Sequence, residues 1–261
     1  NTWKYFASYA PYWLEKTGLQ AEQSVAVQAQ TGIDGLRADF GQGLPPQLWE
    51  YVINVARARK WSFVFMSEAL DGGAVTYRSS RHFDVLNENL LFSLQSATSP
   101  GNYREAIENR RASYGQNLVL LNNVSHDEEN YQDPWQAFIR YATVNVHAGI
   151  PMSFMGQELG ISRTYGFNHY ETNFGKQIPH FKRYNSMQPI WDNNDFGLDQ
   201  LYKAYASIGR ARIASPALQS SHRYFLNETS TNAAHAKIHG VAKWDQPESS
   251  PETSEVVLAF V

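Results

Sequence analysis

Charged and polar residues gather at the ends of three short apolar runs. Arg37 and Asp39 stand two residues apart in GIDGLRADFG, Glu68 closes FVFMSE, and His126 and Asp127 follow NLVLLNNVS. In an extended chain alternate side chains share a face, so Arg37 and Asp39 point one way and Leu36, Ala38 and Phe40 the other. A strand packed on both faces would place that ion pair in the interior, where burying two charges is weak support for stability. An edge strand with a surface pair is the bland alternative. Three carboxylates converging on one cleft suit glycosyl transfer. One must be ionised to attack an anomeric carbon, and another must hold a proton for the leaving oxygen. Burial and mutual repulsion separate their roles, and a guanidinium beside Asp39 favours its ionised form.

Convergence requires elements that bring these run ends together. The sequence alternates short apolar strands with amphipathic helices, the pattern of α/β units around a parallel sheet. After the first strand, GQGLPPQLWEYVINVARARK has glycines that loosen a loop, Pro45 and Pro46 suited to a first helical turn, and Leu48, Val52, Val55 and Ala56 on one face. WSFVFMSEAL reads as the second strand, and RHFDVLNENLLFSL as a strand and helix start. NLVLLNN is a further strand, followed by a helix with Asp133 as N-cap, Pro134 in its first turn and Gly149 as its stop. IPMSFMGQELG is the fifth strand. In GLDQLYKAYASIGRARIAS, the residues Leu198, Leu201, Tyr202, Tyr205 and Ile208 form a helical stripe. Beyond Pro216 come the strand-like pieces HRYFLN, AKIHGVAKW and EVVLAFV, so a boundary near residue 216 separates an α/β part, 1–215, from the start of a β-rich part, 216–261.

In parallel α/β folds the site lies at the carboxyl ends of the strands. About one strand–helix unit separates Asp39 from Glu68 and about two separate Glu68 from Asp127. The three acids are thus expected on the first, second and fourth of five parallel strands.

Composition narrows the function classes. The 261 residues are 43% hydrophobic and 18% charged, as in a globular protein, and a net charge of −3 leaves no footprint for nucleic acid or an anionic membrane. No apolar run is long enough to span a bilayer. Without cysteine there are no disulfides or thiolate chemistry, and the compartment stays open, with an extracytoplasmic one slightly favoured. Aromatic residues make up 14% of the chain; they suit a core first and a carbohydrate cleft second.

GIDGLRAD, FVFMSEAL and NVSHDEE, in this order, resemble regions II, III and IV of the α-amylase family (glycoside hydrolase family 13). GIPMSFMGQELG is similar to that family's eighth barrel strand and YASIGRARIASPAL to its last barrel helix. The resemblance implies a (β/α)8 TIM barrel of which only about strands 4–8 are present, followed by the beginning of an all-β domain. It implies a retaining α-glucan hydrolase acting on oligo- or polysaccharides. Asp39 then matches the nucleophile, Arg37 its companion arginine, Glu68 the acid/base, Asp127 the transition-state stabiliser and His126 a substrate hydrogen-bonder.

Three departures bear on that reading. Ser125 stands where many members have asparagine, and FGQG replaces a Lys-His pair that contacts the leaving-group sugar. Region I is absent, and with it the asparagine that often binds calcium, so no calcium ligands are assigned in this chain. The missing N-terminal half of the barrel is then an expected partner, and the 261 residues alone are expected to be inactive. A transglycosylase of the same family (a branching or sucrose- or trehalose-converting enzyme) shares the triad. A non-catalytic carbohydrate-binding homologue is disfavoured, because a binding module gains nothing from three repelling acids. A metal site on His126, Asp127, Glu128 and Glu129 is weaker still, since adjacent strand residues point apart.

Overall fold

A computed structural model describes residues 1–68, 83–87, 93–94, 96–115, 117–122, 134–154, 157–159, 198–226, 239–246 and 255–261. The chain divides into two compact units, Asn1–Asn89 with Asn109–Val119, and Leu90–Glu108 with Leu120–Val261.

The first unit opens with a helix that the sequence pattern hides, α1 (Thr2–Lys16), with Pro11 inside it. Its inward face is small, Ala7, Ala10 and Leu14, while Trp3, Tyr5, Phe6, Tyr9, Tyr12 and Trp13 are exposed. Aromatic residues on the outer face, with alanines inside, obscure the usual apolar stripe. A short helix, α2 (Val25–Gln28), starts at Ser24, whose hydroxyl accepts the Val27 amide. Strand β1 (Gly35–Ala38) follows, then helix α3 (Pro46–Arg59) and strand β2 (Val64–Glu68). Pro46 sits in the first turn of α3, and Leu48, Val52, Ile53 and Ala56 are its buried face. Ile53 takes the inward place expected of Val55, which is half-buried.

Strand β1 pairs in parallel with β2, and β2 in parallel with β3 (Val85–Asn87). Buried Lys60, just after α3, fixes the approach to β1. Its ammonium donates to Asp34 Oδ1 at 2.7 Å, Thr31 O at 3.1 Å and Ile33 O at 3.2 Å. Arg57 reaches both oxygens of Asp84 at 2.8 Å, and Asp84 Oδ2 accepts the Phe65 amide at 2.7 Å, which sets β2 against the entry to β3.

Helix α4 (Pro100–Tyr114) and strand β4 (Leu118–Asn122) each run from one unit into the other. β4 pairs with β3 through Leu118 and Val119, and with β5 (Ile150–Met152) through Leu120 to Asn122. All these pairings are parallel, so the five expected strands exist in the order β1-β2-β3-β4-β5. β1 is an edge strand among the described residues.

In the second unit, helix α5 (Pro134–Asn145) buries Ala137, Tyr141, Ala142 and Val144. The chain then turns through Gly149, whose φ of 141° favours glycine, into β5. Asp133, the expected N-cap of α5, lies outside the described residues. Helix α6 (Leu198–Ala214) buries Leu201 and Tyr205 and half-buries Ile208, but Tyr202 is exposed, so the stripe is narrower than expected. A one-turn helix α7 (Pro216–Gln219) leads to an antiparallel sheet of β6 (His222–Phe225), β7 (Gly240–Trp244) and β8 (Val256–Phe260). Each of the three strand-like pieces beyond Pro216 therefore supplies a strand.

Buried cations organise this unit. Arg212 of α6 donates to the carbonyls of Asn145, His147, Leu218 and Gly149, closing the end of α5 and the entry to β5. Lys243 on β7 is fully buried with its ammonium 2.6 Å from Ser220 O. His147 and His239 place their Nε2 atoms 3.0 Å apart, with rings stacked at 4.9 Å.

Candidate active site

Arg37 is the hub of the site. Its Nη1 donates to Asp39 Oδ1 at 2.7 Å and its Nη2 lies 3.0 Å from Glu68 Oε2. Parallel register explains the reach. Arg37 pairs with Met66, which sets the end of β1 beside the end of β2, where Glu68 stands. One guanidinium therefore holds both carboxylates, and an arginine fork is suited to carry two at fixed spacing.

The pair is not interior among the described residues, where β1 is an edge strand. Side-chain exposure is 32% for Arg37, 78% for Asp39 and 16% for Glu68. The surface-pair alternative is correct for placement, while the presence of a second carboxylate on the same arginine is what makes the cluster more than a surface pair.

The loop after Asp39 is tighter than its glycines suggested. Gly41–Gly43 forms a 3-10 turn, and the Trp49 indole of α3 donates to Gly41 O at 2.7 Å. Gly41 backs directly onto β2. A Cβ there would collide with Ser67 Oγ and lie 2.9 Å from Glu68 O, so only glycine lets the loop come this close. Phe40, between Asp39 and this turn, has a left-handed backbone with φ 49° and ψ 49°. For a bulky side chain that costs about 1–2 kcal/mol. The conformation delivers the Phe40 amide to Glu68 Oε2 at 2.9 Å.

Both described donors to Glu68 thus converge on Oε2. Sequence reasoning missed the amide of Phe40, the Trp49 anchor and the Lys60 clamp. Lys60 and Trp49 look like ordinary helix residues in the sequence, and nothing in a residue type reports a backbone donor. Asp127 and His126 lie outside the described residues; β4, which precedes them, ends at Asn122 as the fourth strand. Among the described residues no group of three or more His, Asp or Glu could hold a metal ion, and no helix is long and apolar enough to cross a membrane.

The parallel sheet, with acids at successive strand ends, defines an α/β protein, and comparison with solved structures specifies the fold further. The fold is that of the α-amylase-family enzymes. The chain is similar to the ligand-free cyclic α-maltosyl-(1→6)-maltose hydrolase of Arthrobacter globiformis, at a TM-score of 0.64 and 15% identity over 99% of this chain and 58% of that one. It is similar to an α-amylase of Geobacillus thermoleovorans complexed with acarbose, at 0.61 and 13% over 98% of this chain and 52% of that one. A cyclomaltodextrinase matches at 0.63 and 15%, over 98% of this chain and 39% of that one. The chain spans about half the length of such structures. No family model matches the sequence, and no curated protein is similar to it.

Proposed function

We propose that this chain carries the catalytic centre of a retaining α-glucan hydrolase of the α-amylase family. The observation that supports it most is the single guanidinium bridging Asp39 and Glu68. Arg37 keeps Asp39 anionic and oriented, and an Asp39 oxygen attacks the anomeric carbon. As the glycosidic C–O bond breaks, Glu68 gives its proton to the leaving oxygen, and a glycosyl-enzyme forms on Asp39. Glu68, now ionised, takes a proton from water. The water oxygen bonds to the anomeric carbon, and Asp39 leaves with its bonding pair, so the configuration is retained. Asp127 and His126, past the end of β4, bind sugar hydroxyls and support the oxocarbenium-like transition state in this reading.

The five strands are strands 4–8 of a (β/α)8 barrel, and residues 216–261 begin a separate β-rich domain. The edge of β1 and the aromatic outer face of α1 are then surfaces for the barrel's other strands and helices. Asp39, at 78% exposure, needs such a wall and a bound substrate to exclude water. The 261 residues alone are therefore expected to be inactive on soluble starch, with activity appearing in the complete enzyme.

Proton NMR of the first product released from a maltooligosaccharide by the complete enzyme tests the mechanism. The α-anomer is expected first. Initial release of the β-anomer contradicts a retaining pair, and products longer than the substrate identify a transglycosylase.

A further inference from the structure

Trp49, in the first turn of α3, takes no part in the catalytic steps above, yet its side chain reaches the turn that follows Asp39. The indole N–H donates to Gly41 O at 2.7 Å. The ring behind it is seated on buried Phe83, with centroids 5.4 Å apart and planes at 66°. Packing alone does not ask for an indole here, since a phenylalanine would fill much of the same half-buried place against Phe83. What tryptophan adds is one donor, and it is spent on a carbonyl of the turn.

The consequence runs along the backbone. Gly41 follows Phe40, whose left-handed conformation is strained and whose carbonyl accepts the Gly43 amide at 2.8 Å. A strained residue keeps its conformation where its surroundings hold it. Here the Trp49 bond, the Gly43 bond and the close approach of Gly41 to Ser67 do so. Held in this way, the Phe40 amide meets Glu68 Oε2 at 2.9 Å. Without the Trp49 bond the turn is free to lift from β2 and relax, and the amide moves with it. Asp39 keeps Arg37 Nη1 on its Oδ1 at 2.7 Å, whereas Glu68 loses one of its two described donors.

Resting on the glycosidase reading, we infer that Trp49 is a positioning residue for the acid/base Glu68. The indole fixes the Gly41 carbonyl, the turn holds the Phe40 amide, and the amide holds the Glu68 carboxyl where it can protonate the leaving oxygen. Proton transfer needs the acid within hydrogen-bond reach of that oxygen, so a displaced carboxyl slows the step. A leaving group that departs without a proton is far less sensitive to the same displacement.

The test uses the complete enzyme with maltotetraose and with α-maltosyl fluoride, whose fluoride leaves without a proton. Trp49→Phe removes the donor and keeps a ring against Phe83. The ratio of kcat/KM for maltotetraose to that for the fluoride is expected to fall about tenfold. Any loss of folded enzyme cancels in this ratio, because both substrates meet the same preparation. In a Glu68→Gln background the effect should vanish. There Trp49→Phe should change kcat/KM for maltotetraose by less than about twofold, since the acid it positions is already gone. An unchanged ratio, or a tenfold loss that persists beside Glu68→Gln, overturns the positioning role and leaves the glycosidase reading intact. Equal losses on both substrates in Glu68→Gln itself overturn the acid/base assignment, and the inference with it.

Discussion

Two arginines, one in each unit, handle charge in opposite ways. In the first, Arg37 meets Asp39 and Glu68 at a strand end open to solvent. In the second, Arg212 and Lys243 are held by backbone carbonyls, with the neutral pair His147 and His239 in the same unit. A guanidinium bonded to carbonyls fixes chain direction and satisfies orphan acceptors at a helix end. One bonded to two carboxylates instead sets their spacing. The carbonyl-held arrangement is architecture and the carboxylate-held one is the proposed chemistry, and each predicts a different response to substitution.

The largest effects should fall on activity and leave the fold intact. Asp39→Asn in the complete enzyme is expected to lower kcat by at least about 10³-fold, because no glycosyl-enzyme can form. Glu68→Gln should lose about 10²–10⁴-fold on maltooligosaccharides and much less in first-step cleavage of glycosyl fluorides, which need no proton on the leaving atom. Both variants should melt near the wild-type temperature. A large fall in thermal midpoint for either would show that the acid cluster is structural.

Arg212 reverses this pattern. Arg212→Met leaves four carbonyls without their donor and should cost about 3–5 kcal/mol in denaturant unfolding. A loss below about 1 kcal/mol would remove the contrast between the units.

The histidines sharpen the comparison through pH. Burial, then Arg104, holds His239 at about 4, and burial, then His239, Lys243 and Arg212, holds His147 well below its ordinary value. Their folded pKa values lie below the unfolded ones, so the unfolded chain takes up protons first and stability falls as pH drops from about 6.5 towards 4. His239 contributes at most about 3 kcal/mol of that fall. Burial, then Arg212 and Arg223, holds Lys243 at about 7, which extends the same trend: stability rises further with pH above 7. Thermal midpoints between pH 4 and 8 should show the acid limb, and His239→Gln should flatten it. The smallest effect is at the loop anchor, where Trp49→Phe removes one hydrogen bond to Gly41 and should cost about 1 kcal/mol.

Much of the first unit was legible in the sequence. Short apolar runs ending in polar residues marked β1, β2 and β4, and Pro46 marked the start of α3. The pairing of Arg37 with Asp39 was visible from strand alternation, but its exposure was not, because edge position depends on which strands are neighbours. Helix α1 escaped because its buried face is alanine and its aromatic residues face out. The FGQG turn looked loose because glycine signals freedom in a sequence, whereas Gly41 serves close approach to Ser67. The bond from the Phe40 amide to Glu68 has no sequence signature at all, since every residue but proline carries that donor.

The central claim is that Asp39 and Glu68, on one guanidinium, form a nucleophile and acid/base pair. Mass spectrometry of the complete enzyme after incubation with 5-fluoro-α-glucosyl fluoride tests it most directly, because such a sugar forms the covalent intermediate faster than water removes it. The account predicts one glycosyl adduct on the peptide containing Asp39, absent from Asp39→Asn. An adduct on a different carboxylate, or turnover of maltooligosaccharides that survives Asp39→Asn, would contradict it.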